Sequence, residues 1–182
     1  IMFINGIPIV VGEAKSPIRP AISWLDGAHE IHDIYENSIP QLFVPNILSF
    51  STEGKELFYG AVRNPLQYWS PWRINDNDNL EKKLGLGEIK DELIDLLSPE
   101  RLLDILKNFS LFTTNKKKQR SKVICRFQQY EGANKIVERV IEGKEKKGLI
   151  WHFQGSGKSL LMVFAAQKLR KLAELKSPTV LV

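Results

Sequence analysis

Two short stretches carry residue types whose spacing could do chemistry. Gln154-Gly155-Ser156-Gly157-Lys158-Ser159 packs two glycines, a lysine and two hydroxyls into six positions. Glycines let successive backbone N–H groups turn inward on one anion, and a helix opening near Lys158 would add its positive end to the same charge. Lys158 would then reach the β/γ-phosphates of a nucleotide, and the Ser159 hydroxyl would join the shell of a Mg2+ ion. Gln154, Gly155, Ser156, Gly157, Lys158 and Ser159 are therefore expected to bind ATP, with Ser159 as a metal ligand. The position five before Gly157 is His152, so the loop departs from the longer G-x-x-x-x-G-K-[ST] signature. The plainer alternative is a glycine turn followed by an ordinary helix with a chance lysine. Upstream, Gln129 in Arg126-Phe127-Gln128-Gln129-Tyr130 has the donor and the acceptor that reading an adenine edge requires. An exposed glutamine at a helix start is its plainer alternative.

Glu13-Ala14-Lys15 is the second stretch. On a strand, alternation puts Glu13 and Lys15 on one face, about 6.5–7 Å apart along the chain. Such a pair suits metal-assisted phosphodiester hydrolysis. Glu13 would help hold Mg2+, which prefers carboxylate oxygens and water, and Lys15 would position or help deprotonate the attacking water and steady the developing charge. Taken alone, a glutamate two residues from a lysine on a strand is more often a surface salt pair.

The elements needed to position these groups are readable in outline. Asn5-Gly6 between apolar runs predicts a two-residue hairpin with strands at about 1–4 and 7–14, so Glu13 closes the second strand. Apolar residues spaced by three and four from Ala21 to Tyr35 predict a helix over 21–37, with Pro20 near its first turn. Strands are expected from Gln41 to Phe50 and from Leu57 to Val62, with a turn at Ser51-Thr52-Glu53-Gly54. Residues 65–90, including Asn75-Asp76-Asn77-Asp78-Asn79, read as irregular and exposed. Ser98-Pro99-Glu100 opens a helix whose buried face holds Leu102, Leu103, Ile105, Leu106 and Phe109. The basic run Lys116 to Lys122 reads as a solvated linker between domains, or as a patch on a DNA path. Beyond it come a helix over 129–142, a short strand over Lys147 to Trp151, the glycine loop, a helix over 160–172 and a strand opening at Val180. Helix, strand, glycine loop, helix, strand is how a parallel nucleotide-binding sheet begins.

Composition limits the partners rather than naming them. Of 182 residues, 43% are hydrophobic and 26% charged, an ordinary globular balance that leaves function to local motifs. The net charge of +5 favours a polyanionic partner. One cysteine, Cys125, excludes an internal disulfide, and no apolar run is long enough to span a membrane. A soluble, cytoplasmic protein is expected. Ile1 stands where a start methionine would, and Thr179-Val180-Leu181-Val182 stops in mid-strand, so both ends are expected to lie inside a longer protein.

Residues 2–15, with Asn-Gly-Ile-Pro in the hairpin and Glu-Ala-Lys closing it, and Tyr35-Glu36-Asn37-Ser38-Ile39-Pro40-Gln41-Leu42-Phe43 resemble the nuclease domain of type I restriction enzyme R subunits. Trp151 to Ser159 is similar to the same family's motor motif, and its compact Gly-Ser-Gly-Lys-Ser core is the form seen in superfamily 2 helicases and translocases. The resemblance implies an α/β chain in three parts: a PD-(D/E)xK-type nuclease domain with a restriction-endonuclease-like mixed sheet over 1–115, a linker over 116–122, and the start of a RecA-like P-loop lobe over 123–182. It implies ATP-driven translocation on double-stranded DNA, Mg2+-dependent cleavage, and methylation and specificity subunits as partners. Glu13 and Lys15 match the second half of the nuclease motif. The acidic residue of the first half is expected before residue 1. Tyr35 matches the tyrosine of the family's Q-x-x-x-Y element as a catalytic-site residue, but the position four before it is Ile31, flanked by Glu30 and His32. His29 and His32 lie three apart and could face one metal, but a histidine pair without a third ligand reads more readily as a polar helix face. Two rivals remain: a helicase with a non-catalytic N-terminal domain, and a nucleotide-gated binding module. The chain by itself is not expected to turn over ATP, since further motor elements supply the groups that position and stabilise phosphoryl transfer.

Overall fold

The computed structural model describes residues 1–18, 21–74, 88–114, 118, 120–176 and 178–181. Pro20, the stretch Asn75 to Asn79, Lys116, Lys117 and Val182 lie outside the described residues. The chain divides into two compact units, Ile1–Leu106 with Ser110–Ile124, and Lys107–Phe109 with Cys125–Val182.

The first unit is built on a hairpin of β1 (Met2–Ile4) and β2 (Ile7–Ala14). Asn5 and Gly6 have φ of 50° and 78°, the left-handed pair that a tight two-residue turn requires. The far edge of β2 pairs in parallel with β3 (Leu48–Thr52), which continues antiparallel into β4 (Leu57–Gly60) and the two-residue β5 (Ser70–Pro71). The sheet order is β1-β2-β3-β4-β5, a mixed sheet with one parallel pair. A parallel pair needs a crossover, and residues between β2 and β3 supply it as helix. Helix α1 (Trp24–His29) runs into a π-helical stretch (Glu30–Tyr35) and then α2 (Glu36–Ser38). Ser23 caps α1, and its backbone N–H donates to Asp26 at 2.7 Å. The helical face carrying Ala28 and Ile31 packs on Val11, Phe43 and Trp69, and Trp24 stacks on Phe58 at 3.8 Å.

Three expectations shift here. The strand expected from Gln41 starts only at Leu48, because Pro40 opens a 3-10 turn over Pro40–Phe43 instead. Ser51 and Thr52 belong to β3, held by partners on both sides, and the turn falls at Glu53 to Glu56. There the Glu53 carboxylate accepts the Glu56 N–H at 3.1 Å and Thr52 Oγ1 accepts the Gly54 N–H at 3.0 Å. The strand expected to reach Val62 ends at Gly60.

The unit continues with α3 (Glu88–Leu96) and α4 (Pro99–Asn108). Buried Trp72 donates its indole N–H to Asp95 at 2.7 Å, and Arg101 binds the same carboxylate while lying over the Trp72 ring. On α4, Leu102 and Ile105 are buried, whereas Leu103 and Leu106 are half-exposed. Strands β6 (Ser110–Thr114) and β7 (Arg120–Ile124) form a hairpin. Arg120, Ser121 and Lys122 of the expected linker therefore lie in a strand. Lys122 is buried, with its ammonium donating to the carbonyls of Asn46 and Ile47 at 2.6 and 2.8 Å. Burial lowers its pKa from 10.5 to about 8.

The second unit holds α5 (Phe127–Glu142) and α6 (Lys158–Arg170), packed through Tyr130, Ala133, Val137, Leu161, Phe164 and Ala165. Phe109 completes this core, 4.6 Å from the Tyr130 ring and 5.6 Å from that of Phe164. No strand forms at 147–151 or 178–181 among the described residues, so the expected parallel sheet is not seen. Leu149 and Trp151 are exposed there, and an apolar run without a ladder partner has no backbone bonds to make it a strand.

Candidate functional sites

Glu13 and Lys15 leave β2 on the same face, and the Lys15 ammonium meets Glu13 at 3.2 Å. The backbone N–H of Lys15 donates to the Thr52 carbonyl at 2.8 Å, which extends the parallel register one residue past β2 and fixes where the side chain starts. A third group enters from the helix. Glu30 binds the Lys15 ammonium at 2.6 Å, and the Tyr35 hydroxyl donates to the other Glu30 oxygen at 3.3 Å. Glu13, Lys15, Glu30 and Tyr35 thus form one linked cluster, with side chains 18 to 36% exposed for the three charged members.

The π-helical stretch explains how Glu30 arrives. In an α-helix, residues five apart point about 140° away from each other. Here the Glu36 N–H reaches back five residues to the Ile31 carbonyl, so each turn holds one more residue and Glu30 comes under Tyr35. Spacing rules built on α-helical periodicity miss Glu30 for this reason. The signal that could find it is the pairing of an acid with a tyrosine five residues on, where the resemblance called for four.

Gly27 lets the helix approach the sheet. A Cβ at this position would overlap the Ser51 hydroxyl and come within 3.0 Å of Glu13 Cγ. Ser51, opposite Glu13 in the parallel pair, donates its hydroxyl to the Trp24 carbonyl at 2.6 Å and ties β3 to α1.

Charge settles the protonation of the cluster. The Glu30 carboxylate, bonded to it, raises the pKa of Lys15, with Glu13 adding to the effect. The same bond lowers the pKa of Glu30. The field of Glu13 raises that of Tyr35, which stays a phenol. Lys15 is therefore favoured as a cation in this cluster, and its ammonium acts as a hydrogen-bond donor to both carboxylates. Glu13, at the end of β2, is the carboxylate that would suit a divalent ion, since Mg2+ is often held by one or two carboxylates with waters and phosphate oxygens. No group of three or more His, Cys, Asp or Glu able to share a metal occurs among the described residues. His29 and His32 both bond Asp33 at 2.7 Å and form a separate, partly exposed group.

In the second unit, Gly157 is the N-cap of α6, with φ of 84°. A side chain there would also overlap Gln129 Nε2. Lys158 and exposed Ser159 open the helix, and Gln154 and Gly155 are exposed in the turn before it. The Lys158 ammonium folds back on the carbonyls of His152 and Phe153 at 3.1 and 2.9 Å. Two neutral carbonyls leave that cation its charge to offer an anion. Ser156 is buried, and its hydroxyl and His152 Nδ1 have no hydrogen-bond partner. These features fit a phosphate cradle. Gln129 is placed differently from expectation. Its side chain is buried, accepts the Arg126 N–H at 2.8 Å and donates to the Gly157 carbonyl at 3.0 Å, so it braces the loop rather than facing outward.

Known proteins match both units. Residues 1–68 match the family described as type I restriction enzyme R protein N terminus, and residues 128–182 match the SWI2/SNF2 ATPase family. The resemblance to type I restriction enzyme R proteins holds. The chain is 35% identical over 186 residues to the type I restriction enzyme HindI endonuclease subunit of Haemophilus influenzae, covering 99% of this chain and 18% of that protein. It is 34% identical over 180 residues to the putative type I restriction enzyme MjaVIIP endonuclease subunit of Methanocaldococcus jannaschii, covering 91% of this chain and 16% of that one. The chain thus spans under a fifth of the length of these R-protein relatives. The R-protein N-terminus match contains Glu13, Lys15, Glu30 and Tyr35, and the ATPase match contains the whole glycine loop. No helix among the described residues is long and apolar enough to cross a membrane.

Proposed function

We propose that this chain belongs to the R subunit of a type I restriction-modification system, with a PD-(D/E)xK-type nuclease domain in the first unit and the start of a RecA-like motor lobe in the second. The observation that carries this reading is the convergence of Glu13, Lys15, Glu30 and Tyr35 within the residues that match the R protein N terminus. The substrate is double-stranded DNA, the cofactors are Mg2+ and ATP, and the methylation and specificity subunits are the partners. The enzyme works in the cytoplasm.

Mg2+ at Glu13 would supply Lewis-acid activation of the phosphate and of a bound water. The chain's own residues do the rest. Glu13 supplies carboxylate oxygens at the end of β2. As the bond from the attacking water oxygen to phosphorus forms, its proton passing to solvent, and the P–O bond to the leaving sugar oxygen breaks, that oxygen taking a proton from solvent, Lys15 donates to the phosphate oxygens on which negative charge builds. In the second unit, Lys158 would exchange its loop carbonyls for the β/γ-phosphates of ATP, and Ser159 would face the Mg2+ of that nucleotide.

The rival with a non-catalytic first unit and the rival without any chemistry are separated by cleavage. The complete R subunit, assembled with its methylation and specificity subunits, is expected to cut unmodified plasmid DNA only with Mg2+ and ATP present. Cleavage that persists at wild-type rate in Glu13→Ala rejects the nuclease assignment. DNA-stimulated ATP hydrolysis that persists in Lys158→Ala rejects the motor assignment.

A further inference from the structure

We infer that Glu30 is a positioning residue of the nuclease site, brought there by the one extra residue of the π-helical turn, and that its task is to hold the Lys15 ammonium when Glu13 turns to the metal. The inference rests on the nuclease reading. Lys15 has two acidic partners, and Glu30 is the closer, at 2.6 Å against 3.2 Å for Glu13. A carboxylate that ligates Mg2+ gives up most of its attraction for a neighbouring ammonium. Without a second partner, the flexible lysine stem would release the charge to solvent at the moment it is needed. Glu30 removes that freedom, and Tyr35 fixes Glu30 in turn by donating to its second oxygen. One oxygen of Glu30 meets Lys15 and the other Tyr35, whereas Glu13 meets the ammonium at 3.2 Å, the longer of its two carboxylate contacts and so the one more readily given up to a metal.

The helix geometry makes the arrangement depend on register. Ile31 is fully buried on one side of the π-helical stretch and Tyr35 packs against the same core on the other, so both ends are anchored. One residue between them is surplus to an α-helix. Removing exposed Asp33 would let the turn relax to α-helical bonding with Glu30 and the tyrosine four apart, again on one face. Glu30 is itself partly exposed, so truncating it opens no cavity.

The test uses the complete subunit in its assembled enzyme, with plasmid cleavage, ATP hydrolysis and Mn2+ binding measured by water-proton relaxation. Glu30→Ala is expected to slow cleavage by about 10- to 100-fold, the usual cost of losing a group that orients a site residue, with ATP hydrolysis unchanged. Mn2+ affinity is expected to stay within about twofold, whereas Glu13→Ala weakens it. Glu30→Gln keeps an acceptor for Lys15 and is expected to recover most of the lost rate, and deletion of Asp33 is expected to keep cleavage. Wild-type cleavage in Glu30→Ala overturns the inference, and so does a loss of Mn2+ affinity as large as that in Glu13→Ala. If Glu13→Ala itself cleaves normally, the nuclease reading has failed and the role of Glu30 falls with it.

Discussion

At the scale of single residues, charge and spacing decide the chemistry. Lys15 lies between Glu30 and Glu13, both of which raise its pKa, so what it presents in this cluster is an ammonium. Lys15→Gln keeps a hydrogen-bond donor but removes the charge, and we expect cleavage to fall by about 100-fold or more, since charged hydrogen bonds to a developing anion carry the larger share of its stabilisation. Gel-based plasmid cleavage reads the result. The proximity of Glu13 and Lys15 was legible in the sequence because strand alternation puts them on one face, and Tyr35 stood out by one motif letter. Glu30 was not, because its place depends on an i to i+5 backbone bond that no side-chain pattern announces. Gln129 illustrates the converse: its donor and acceptor were legible, but their targets, the Arg126 N–H and the Gly157 carbonyl, are set by the packing of α5 against the loop.

At the scale of elements, two glycines show how close the parts sit. Gly27→Ala puts a methyl group onto the Ser51 hydroxyl and against Glu13 Cγ, so α1 must lift from the sheet. The expected cost is about 1–3 kcal/mol of stability by thermal or denaturant unfolding, with a loss of cleavage beyond what the stability change explains. Gly157→Ala meets both a left-handed backbone and Gln129, and ATP binding followed by a fluorescent nucleotide analogue should be lost. The hairpin β1–β2 was legible because Asn5-Gly6 names its own turn. The hairpin β6–β7 was hidden behind basic residues that read as solvated linker, whereas Arg120 to Ile124 pairs with Ser110 to Thr114 and Lys122 is buried with its ammonium on the Asn46 and Ile47 carbonyls. The start of β3 was misplaced for a third reason: Gln41 to Phe50 has strand-like composition, but Pro40 starts a helical turn that uses up its first residues.

At the scale of the whole molecule, stability and activity respond to different groups. Lys122 has a folded pKa of about 8 against 10.5 when exposed. The unfolded chain therefore binds the extra proton between these values, and stability should rise as pH increases from about 8 to 10.5, by at most roughly 3 kcal/mol. Below pH 8 both states hold the proton and this contribution is flat. Melting temperature against pH should lose that rise in Lys122→Met. We propose that the two units hold separate sets of groups, one suited to a DNA phosphate and one to a nucleotide, a division of two chemistries on one polypeptide. Its most direct test follows DNA cleavage and ATP hydrolysis in the same reaction with the assembled enzyme carrying Glu13→Ala. ATP hydrolysis is expected to continue undiminished with cleavage lost; cleavage at the wild-type rate in that variant would overturn the nuclease assignment.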